Sequence, residues 1–441
     1  MYRHWLTHTR TTRFLIFGLA SALAAASATC PAGPQAGKGE THAAFEFRVK
    51  DLGALAGRFA EFADDLPPVE QLGVGQILAF EENAQFVYVR GTAAAGDRRI
   101  IFCKPSTFVV LDVSSAGERA WVLGGSAAPK TRGGSFSSTE GDVSVTGQVL
   151  ATEDPAFTPA KQFVHVLHLG NNGLTPTATA TAAEGTVSLK LAIGERTYRL
   201  ALPFDPATPG KIAVSEGDEA LLAKRLLPSS IMPHGRKGVE MMERWDSAYR
   251  RTRMPGWDVG RPARELQEIV DAGTVKPGKA LVLGCGTGTN AVYLAGKGFE
   301  VTGVDVAPTA LVLAERLAAE AKVRVRWLVA DVVSLPDIGS FDLIFDRGCY
   351  HHVQRYNAAG FVQSMDSRTA PGAHFLLLAG NANEPNHGGP PRVEETQLVD
   401  NFAKTWDFVS LKEIRFESRD PDRRTGPWAW SALMRRRTPN Q

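Results

Sequence analysis

The chain has 441 residues, 44% of them hydrophobic and 22% charged, with a formal net charge of +2 at pH 7. That length favours two globular domains over one. The near-neutral balance lacks the basic surplus of a nucleic-acid binder. Cys30, Cys103, Cys285 and Cys349 are too scattered for a disulfide framework, and no CxxC spacing points to zinc, so no metal is expected.

At the N-terminus, Arg3, Arg10 and Arg13 accompany an apolar run over residues 14–28. This reads as a secretory signal peptide over 1–28, with Ala26-Ser-Ala28 before the cut. The run is too short for a membrane span and no other segment is long and apolar enough, so the mature chain is expected to carry none. An exported or periplasmic location follows if the signal is used, and a cytoplasmic one if it is not. Residues 29–43, rich in Pro, Gly, Ala and Lys, read as a linker.

Residues 44–215 are strand-like. Short runs of β-branched and aromatic residues at 86–90, 99–102, 108–112, 163–167 and 197–202 alternate with Gly, Asn, Pro and Ser clusters. The pattern predicts an all-β sandwich. Residues 52–65 are an exception with helical apolar spacing, and the Gly/Ser-rich stretch 124–141 reads as an exposed loop. His165 and His168 lie three apart on a predicted strand, so they point to opposite faces and do not share a metal ion. Residues 216–238 read as a linker between the halves, with an amphipathic helix over 220–227 that Pro228 and Pro233 break.

From residue 239 strand and helix signals alternate. Strands are predicted at 279–283, 300–305, 324–329, 341–346, 374–379, 407–415 and 428–434, and helices at 289–297, 308–321, 357–369 and 394–405. Alternation implies a parallel sheet with helices on both faces. The last two strands have no room for a helix between them and are expected to pair antiparallel. The run LVLGCGTGTN (281–290) ends an apolar strand in Gly284, Gly286 and Gly288, and VTGVD (301–305) ends the next in Asp305. Glycines let a ligand approach the backbone, and an acid at the next strand tip accepts from ribose hydroxyls. The pair therefore describes a nucleoside site, with S-adenosylmethionine as the expected cofactor. A dinucleotide fingerprint needs a different third glycine spacing, and residue 289 is Thr.

Residues 243–436 resemble the small-molecule S-adenosylmethionine-dependent methyltransferases of the thiopurine, thiol and tellurite-resistance group. The matches run in order: Trp245 to Tyr249 (WDSAY), Pro255 to Pro262 (PGWDVGRP), the glycine motif, GVDV at 303–306, VADV at 329–332, FDLIFDRGCYHH at 341–352, PGAH at 371–374 and GGPPRV at 388–393. The resemblance implies an α/β, Rossmann-like, seven-stranded fold over 239–441. It implies that the loop of Gly284, Cys285, Gly286 and Gly288 passes under the methionine moiety. Asp305 would hold the ribose, Asp331 the adenine amino group and Val332 the adenine ring, with Trp257 shielding the cofactor.

Methyl transfer is an in-line displacement that needs alignment and exclusion of water. Thiolates and other soft nucleophiles need little more, whereas a hydroxyl or amine needs a general base. Asp346, His351 and His352 are the candidate bases at the end of the fourth strand, and one of the adjacent histidines is expected to face the core. Arg347 and Arg392 are candidates for binding an anionic acceptor. The leading expectation is methylation of a small molecule at a soft nucleophile such as a thiol.

A weaker resemblance links about 45–215 to the C-terminal β-sandwich of heparinase II/III-like lyases, carried by RIIFCKPSTFVVLD at 99–112 and FVHVLH at 163–168. It implies possible glycan contact without lyase activity. The alternative function is therefore an exported carbohydrate-binding protein with a relic methyltransferase fold.

Overall fold

The computed structural model describes residues 43–60, 64–93, 96–114, 120–124, 134–140, 143–151, 161–169, 174–385, 388–419 and 426–438. The expected signal peptide, nearly all of the linker after it and residues 125–133 lie outside these. Among the described residues, no helix is long and apolar enough to cross a membrane.

The first half holds β1 (Ala43–Arg48), α1 (Val49–Phe59), α2 (Val69–Leu72), β2 (Gln76–Glu82), β3 (Phe86–Ala93), β4 (Gly96–Cys103), β5 (Thr107–Ser114), β6 (Ala120–Gly124), β7 (Gly134–Glu140), β8 (Val143–Ala151) and β9 (Lys161–Leu169). It continues with β10 (Thr177–Ala183), β11 (Thr186–Ile193), β12 (Arg196–Pro203), β13 (Lys211–Glu216) and β14 (Glu219–Leu226). An antiparallel sheet in the order β2-β3-β4-β5-β9-β8-β7 packs on a second, β10 to β14. Alternation along each strand decides the layers. Val109, Leu111, Val164 and Val166 face Val187, Leu189, Leu200 and Val214 of the second sheet. Phe108, Val110 and Leu167 face the other way, against Leu52, Leu55 and Phe59 of α1. The helix is thus a third layer on a sandwich.

Two expectations are corrected here. Residues 220–227 form most of β14 rather than a helix, and Leu222 pairs with Val214 across the sheet. Residues 134–140 of the expected exposed loop form β7, paired with β8.

The second half holds α3 (Gly235–Tyr249), α4 (Arg264–Asp271), β15 (Lys279–Leu283), α5 (Thr289–Gly296), β16 (Glu300–Asp305), α6 (Pro308–Glu320), β17 (Val325–Val329), β18 (Phe341–Arg347), α7 (Tyr350–Ser367), β19 (Thr369–Gly380), α8 (Glu395–Phe402), β20 (Trp406–Arg415) and β21 (Trp428–Arg436). The sheet order is β17-β16-β15-β18-β19-β21-β20. The first five strands in this order are parallel, and β21 runs antiparallel to both its neighbours. Strands buried on both faces read as continuous apolar runs. Val282, Leu343 and Phe345 face Leu294 and Leu311 on one side. Leu281, Leu283 and Ile344 face Tyr350, Phe361 and Phe402 on the other. The strand order reverses direction at β15 and β18, and their carboxyl ends open into the crevice where doubly wound folds bind ligands.

Candidate cofactor and acceptor site

Beyond β15 the chain turns through Gly284 and Gly286, whose φ angles are +52° and +56°. A Cβ at Gly284 would lie 2.8 Å from Cβ of Cys349, and one at Gly286 would lie 3.1 Å from the Tyr249 hydroxyl. The loop is therefore a cradle that only glycine backbone leaves open. Gly288 caps α5, placing a helix N-terminus at the end of the cradle.

Asp305, at the tip of β16, ties this loop down. One carboxylate oxygen accepts from the Gly286 N–H at 2.8 Å and the other from the Ala307 N–H at 2.8 Å. Burial pushes its pKa up to about 6, against the backbone hydrogen bonds that favour the ionised form. Two carboxylate oxygens offer about four lone-pair sites, so the group retains accepting capacity for a ligand beyond its backbone bonds.

The segment between α3 and α4 closes over the cradle. Asp258 accepts from Thr287 Oγ1 at 2.7 Å, and Trp257 Nε1 donates to the Tyr249 hydroxyl at 3.2 Å. Trp257 is half exposed at the lip, and its carbonyl accepts from Arg347 Nη1 at 3.0 Å. Between these parts lies an open cleft of about 510 Å³, solvent at its mouth included, whose walls include Trp257, Gly284, Cys285, Gly286 and Arg347. Cys285 offers the cleft its backbone. Its side chain is buried in the core beside Trp327 and Ala291, where burial raises the thiol pKa well above its ordinary value.

The acceptor side begins at the end of β18. The sequence reading offers Asp346 as a base, but the side chain is fully buried. Its two oxygens accept from the Cys349 and Tyr350 N–H groups, each at 2.9 Å. It braces the start of α7 instead of presenting a base to substrate. His351, 4% exposed, accepts at Nδ1 from the Gly380 N–H at 3.0 Å. Burial, with His352 and Arg347 alongside, pushes its pKa down to about 3. The ring is neutral with its proton on Nε2, so His351 is a donor and not a base. His352 lays its ring edge-on to Trp245 at 4.7 Å, and burial with Arg244 and Arg355 nearby lowers its pKa to about 4. The Arg347 guanidinium lies 5.0 Å from the Phe416 ring centre.

On the far side, Asp331 follows β17. Its Oδ1 accepts from the Val333 N–H at 3.1 Å, and burial raises its pKa. Val332 is buried in the cluster that holds Leu281 and Leu283. Among the described residues, no group of three His, Cys, Asp or Glu side chains is arranged to hold a metal ion. His165 and His168 sit on opposite faces of β9, and Thr107 Oγ1 lies 2.9 Å from His168 Nδ1.

Sequence reasoning gave Tyr249 no role of its own, although it belongs to the WDSAY segment. It also missed Asp246, which accepts from Thr309 N–H at 2.7 Å and joins α3 to the start of α6. The Asp246–Thr309 pairing leaves no local signature, because the partners are 63 residues apart in sequence.

The sheet order, the glycine cradle and the acid at the tip of β16 define a class I S-adenosylmethionine-dependent methyltransferase. A family model described as a methyltransferase domain matches residues 280–372. A 2-heptyl-1-hydroxyquinolin-4(1H)-one methyltransferase of Mycobacteroides abscessus is 33% identical over 165 residues, covering 36% of this chain and 72% of that protein. A probable thiol methyltransferase of Arabidopsis thaliana is 29% identical over 33% of this chain and 65% of its own length. A thiocyanate methyltransferase of the same plant is 28% identical over 39% of this chain and 75% of its own length. The chain belongs to the S-adenosylmethionine-dependent methyltransferases that act on small molecules, and S-adenosylmethionine is its cofactor.

Proposed function

We propose that the protein methylates a small molecule at a soft, anionic nucleophile, a thiolate foremost. The observation that carries this reading is the hydrogen bond from the Gly380 N–H to His351 Nδ1, which makes His351 a neutral donor. With Asp346 engaged by the start of α7 and His352 edge-on to Trp245 with its basicity lowered, the acceptor side offers a donor and the Arg347 cation in place of a strong base. Such a site favours an acceptor that arrives already ionised. The two Arabidopsis relatives, named for thiol and thiocyanate, support the same choice.

The cradle of Gly284, Cys285, Gly286 and Gly288 fits a methionine chain, and Asp305 retains capacity for ribose hydroxyls. Asp331 would take the adenine amino group, Val332 would pack on the base, and Trp257 would cover the cleft. When bound, the cofactor supplies a sulfonium-activated methyl carbon. The chain's own residues orient the acceptor and exclude water: Arg347 binds its charge, His351 Nε2–H donates to it, and Trp245, Trp257 and His352 wall off solvent.

Calorimetry with the full chain and an acceptor screen test this. S-adenosylmethionine should bind with a Kd that Asp305→Ala weakens by about 30-fold or more, since charge-assisted hydrogen bonds are lost. Thiols should be turned over and simple alcohols not. Unchanged affinity in the variant would remove Asp305 from the site. Turnover of alcohols or amines with thiols untouched would overturn the acceptor class.

A further inference from the structure

The segment Pro228 to Met232 is not a tether. Leu227, Ser230 and Met232 are at most 1% exposed. Leu227 packs in the core between the sandwich sheets, and Met232 packs in the methyltransferase core. The segment is hydrogen-bonded on both sides. Toward the sandwich, the Phe80 N–H of β2 donates to the Ser230 carbonyl at 3.2 Å, and the Met232 N–H donates to the Phe80 carbonyl at 2.9 Å. Toward the methyltransferase, the Ser229 N–H donates to the Val329 carbonyl at 2.8 Å. The Asp331 N–H donates to Ser230 Oγ at 3.0 Å, and Ser334 Oγ donates to the Ile231 carbonyl at 2.8 Å.

These contacts fall on a sensitive place. β17 is an edge strand of the seven-stranded sheet, and the outer side of an edge strand presents unpaired N–H and C=O groups. Pro228 and Ser229 cover that side at Val329, and Ser230 takes the N–H of Asp331 just beyond the strand. The turn that carries Asp331 is therefore held from within by Val333 and from outside by a segment that the sandwich grips.

We infer that the sandwich braces the cofactor site from outside, and that Ser230 is a positioning residue for recognition of the adenine base. The inference rests on the reading that Asp331 takes the adenine amino group. Ser230 touches no cofactor atom in this scheme. It acts by fixing the backbone from which the Asp331 carboxylate projects. A hydroxyl lost here leaves the Asp331 N–H buried without its acceptor, and the turn then relaxes.

The test uses the full chain and two probes that differ at the 6-substituent of the base and, with it, in the protonation of the adjacent ring nitrogen. S-adenosylhomocysteine carries the adenine amino group, and S-inosylhomocysteine carries an oxo group instead. The wild type should prefer the first, and a wild type without preference would refute the Asp331 reading itself. Given that preference, Ser230→Ala should lower the ratio of the two Kd values by about fivefold or more. Ser230→Thr, which keeps a hydroxyl, should restore it. A ratio unchanged in Ser230→Ala, or equal weakening of both probes, would overturn the inference. Should Ser230→Ala fail to fold, Ser334→Ala removes the bonds to the Ile231 carbonyl and to Ser230 Oγ, leaves the Ser230 hydroxyl in place, and is expected to lower the same ratio. A wild-type ratio in that variant would overturn the proposal equally.

Discussion

Asp346 closes the first turn of α7 while fully buried, and these two conditions pull its acidity in opposite directions. Hydrogen bonds from backbone N–H groups favour the carboxylate, and burial disfavours it. Burial wins, pushing the group from an ordinary 3.8 up to about 7. Between about pH 4 and pH 7 the folded chain therefore binds a proton that the unfolded chain has released. The stability this group contributes is complete below about pH 4 and is lost as pH rises to about 7. His165 and His351 shift the other way, down to about 3, and stabilise the fold increasingly as pH rises toward 6.5. Asp346→Asn leaves those histidines in place, so the comparison isolates one carboxyl. Denaturant unfolding at pH 4.5, 5.5 and 7 should show the wild type's advantage over the variant shrinking with pH. An advantage that is constant or grows would refute the shift. The position of Asp346 was legible from the strand-end pattern, but its engagement was not. Whether a carboxylate is open or spent depends on which N–H groups the following turn aims at it.

At the scale of elements, α7 shows where local pattern succeeds and where it stops. The sequence reading starts a helix at 357, and the structure starts it at Tyr350 with a break at Asn357, where φ is −153° and ψ is 61°. Asn357 Oδ1 accepts from the Gly360 N–H at 2.9 Å, as a capping side chain does at a helix start. The reading thus found the second segment, which has its own cap, and missed the first, whose histidines carry no clear apolar period. Asn357→Ala tests the break. Although Ala is the better helix former, the lost cap should cost about 1 kcal/mol in urea unfolding. A variant more stable than wild type would show that the two segments prefer to be one helix. β14 failed in the opposite sense. Its Ala, Leu, Lys and Arg favour a helix locally, but antiparallel pairing with β13 overrides propensity even across two register shifts. The β15 and β16 bounds were read directly, because buried parallel strands are short apolar runs ended by glycine or acid.

At the scale of the whole molecule, the two halves share more than a covalent link. Leu226, the last residue of β14, packs in the methyltransferase core with Met232. The Gly235 N–H at the start of α3 donates to Glu82 of β2 at 2.6 Å, and Lys211 pairs with Glu315 at 3.0 Å. None of this was legible in the sequence, which showed the junction as a linker. Proline-broken, mixed polar and apolar stretches look alike whether they are solvated or clasped, and the clasp here joins residues about 100 to 150 positions apart. The arrangement predicts the fate of a methyltransferase half made alone. A fragment of residues 234–441 loses the cover over β17, the acceptor for the Asp331 N–H and two apolar side chains of its core. Exposed strand edges and an unfilled core favour association and lower stability. The fragment should melt well below the full chain, precipitate more readily and bind S-adenosylhomocysteine more weakly. Thermal unfolding, sedimentation and calorimetry on the two proteins measure these separately. A soluble monomeric fragment with the full chain's affinity would mean that the methyltransferase fold stands alone and that the sandwich merely rests against it. A fragment that stays monomeric but loses affinity would place the effect in the Asp331 turn rather than in global stability.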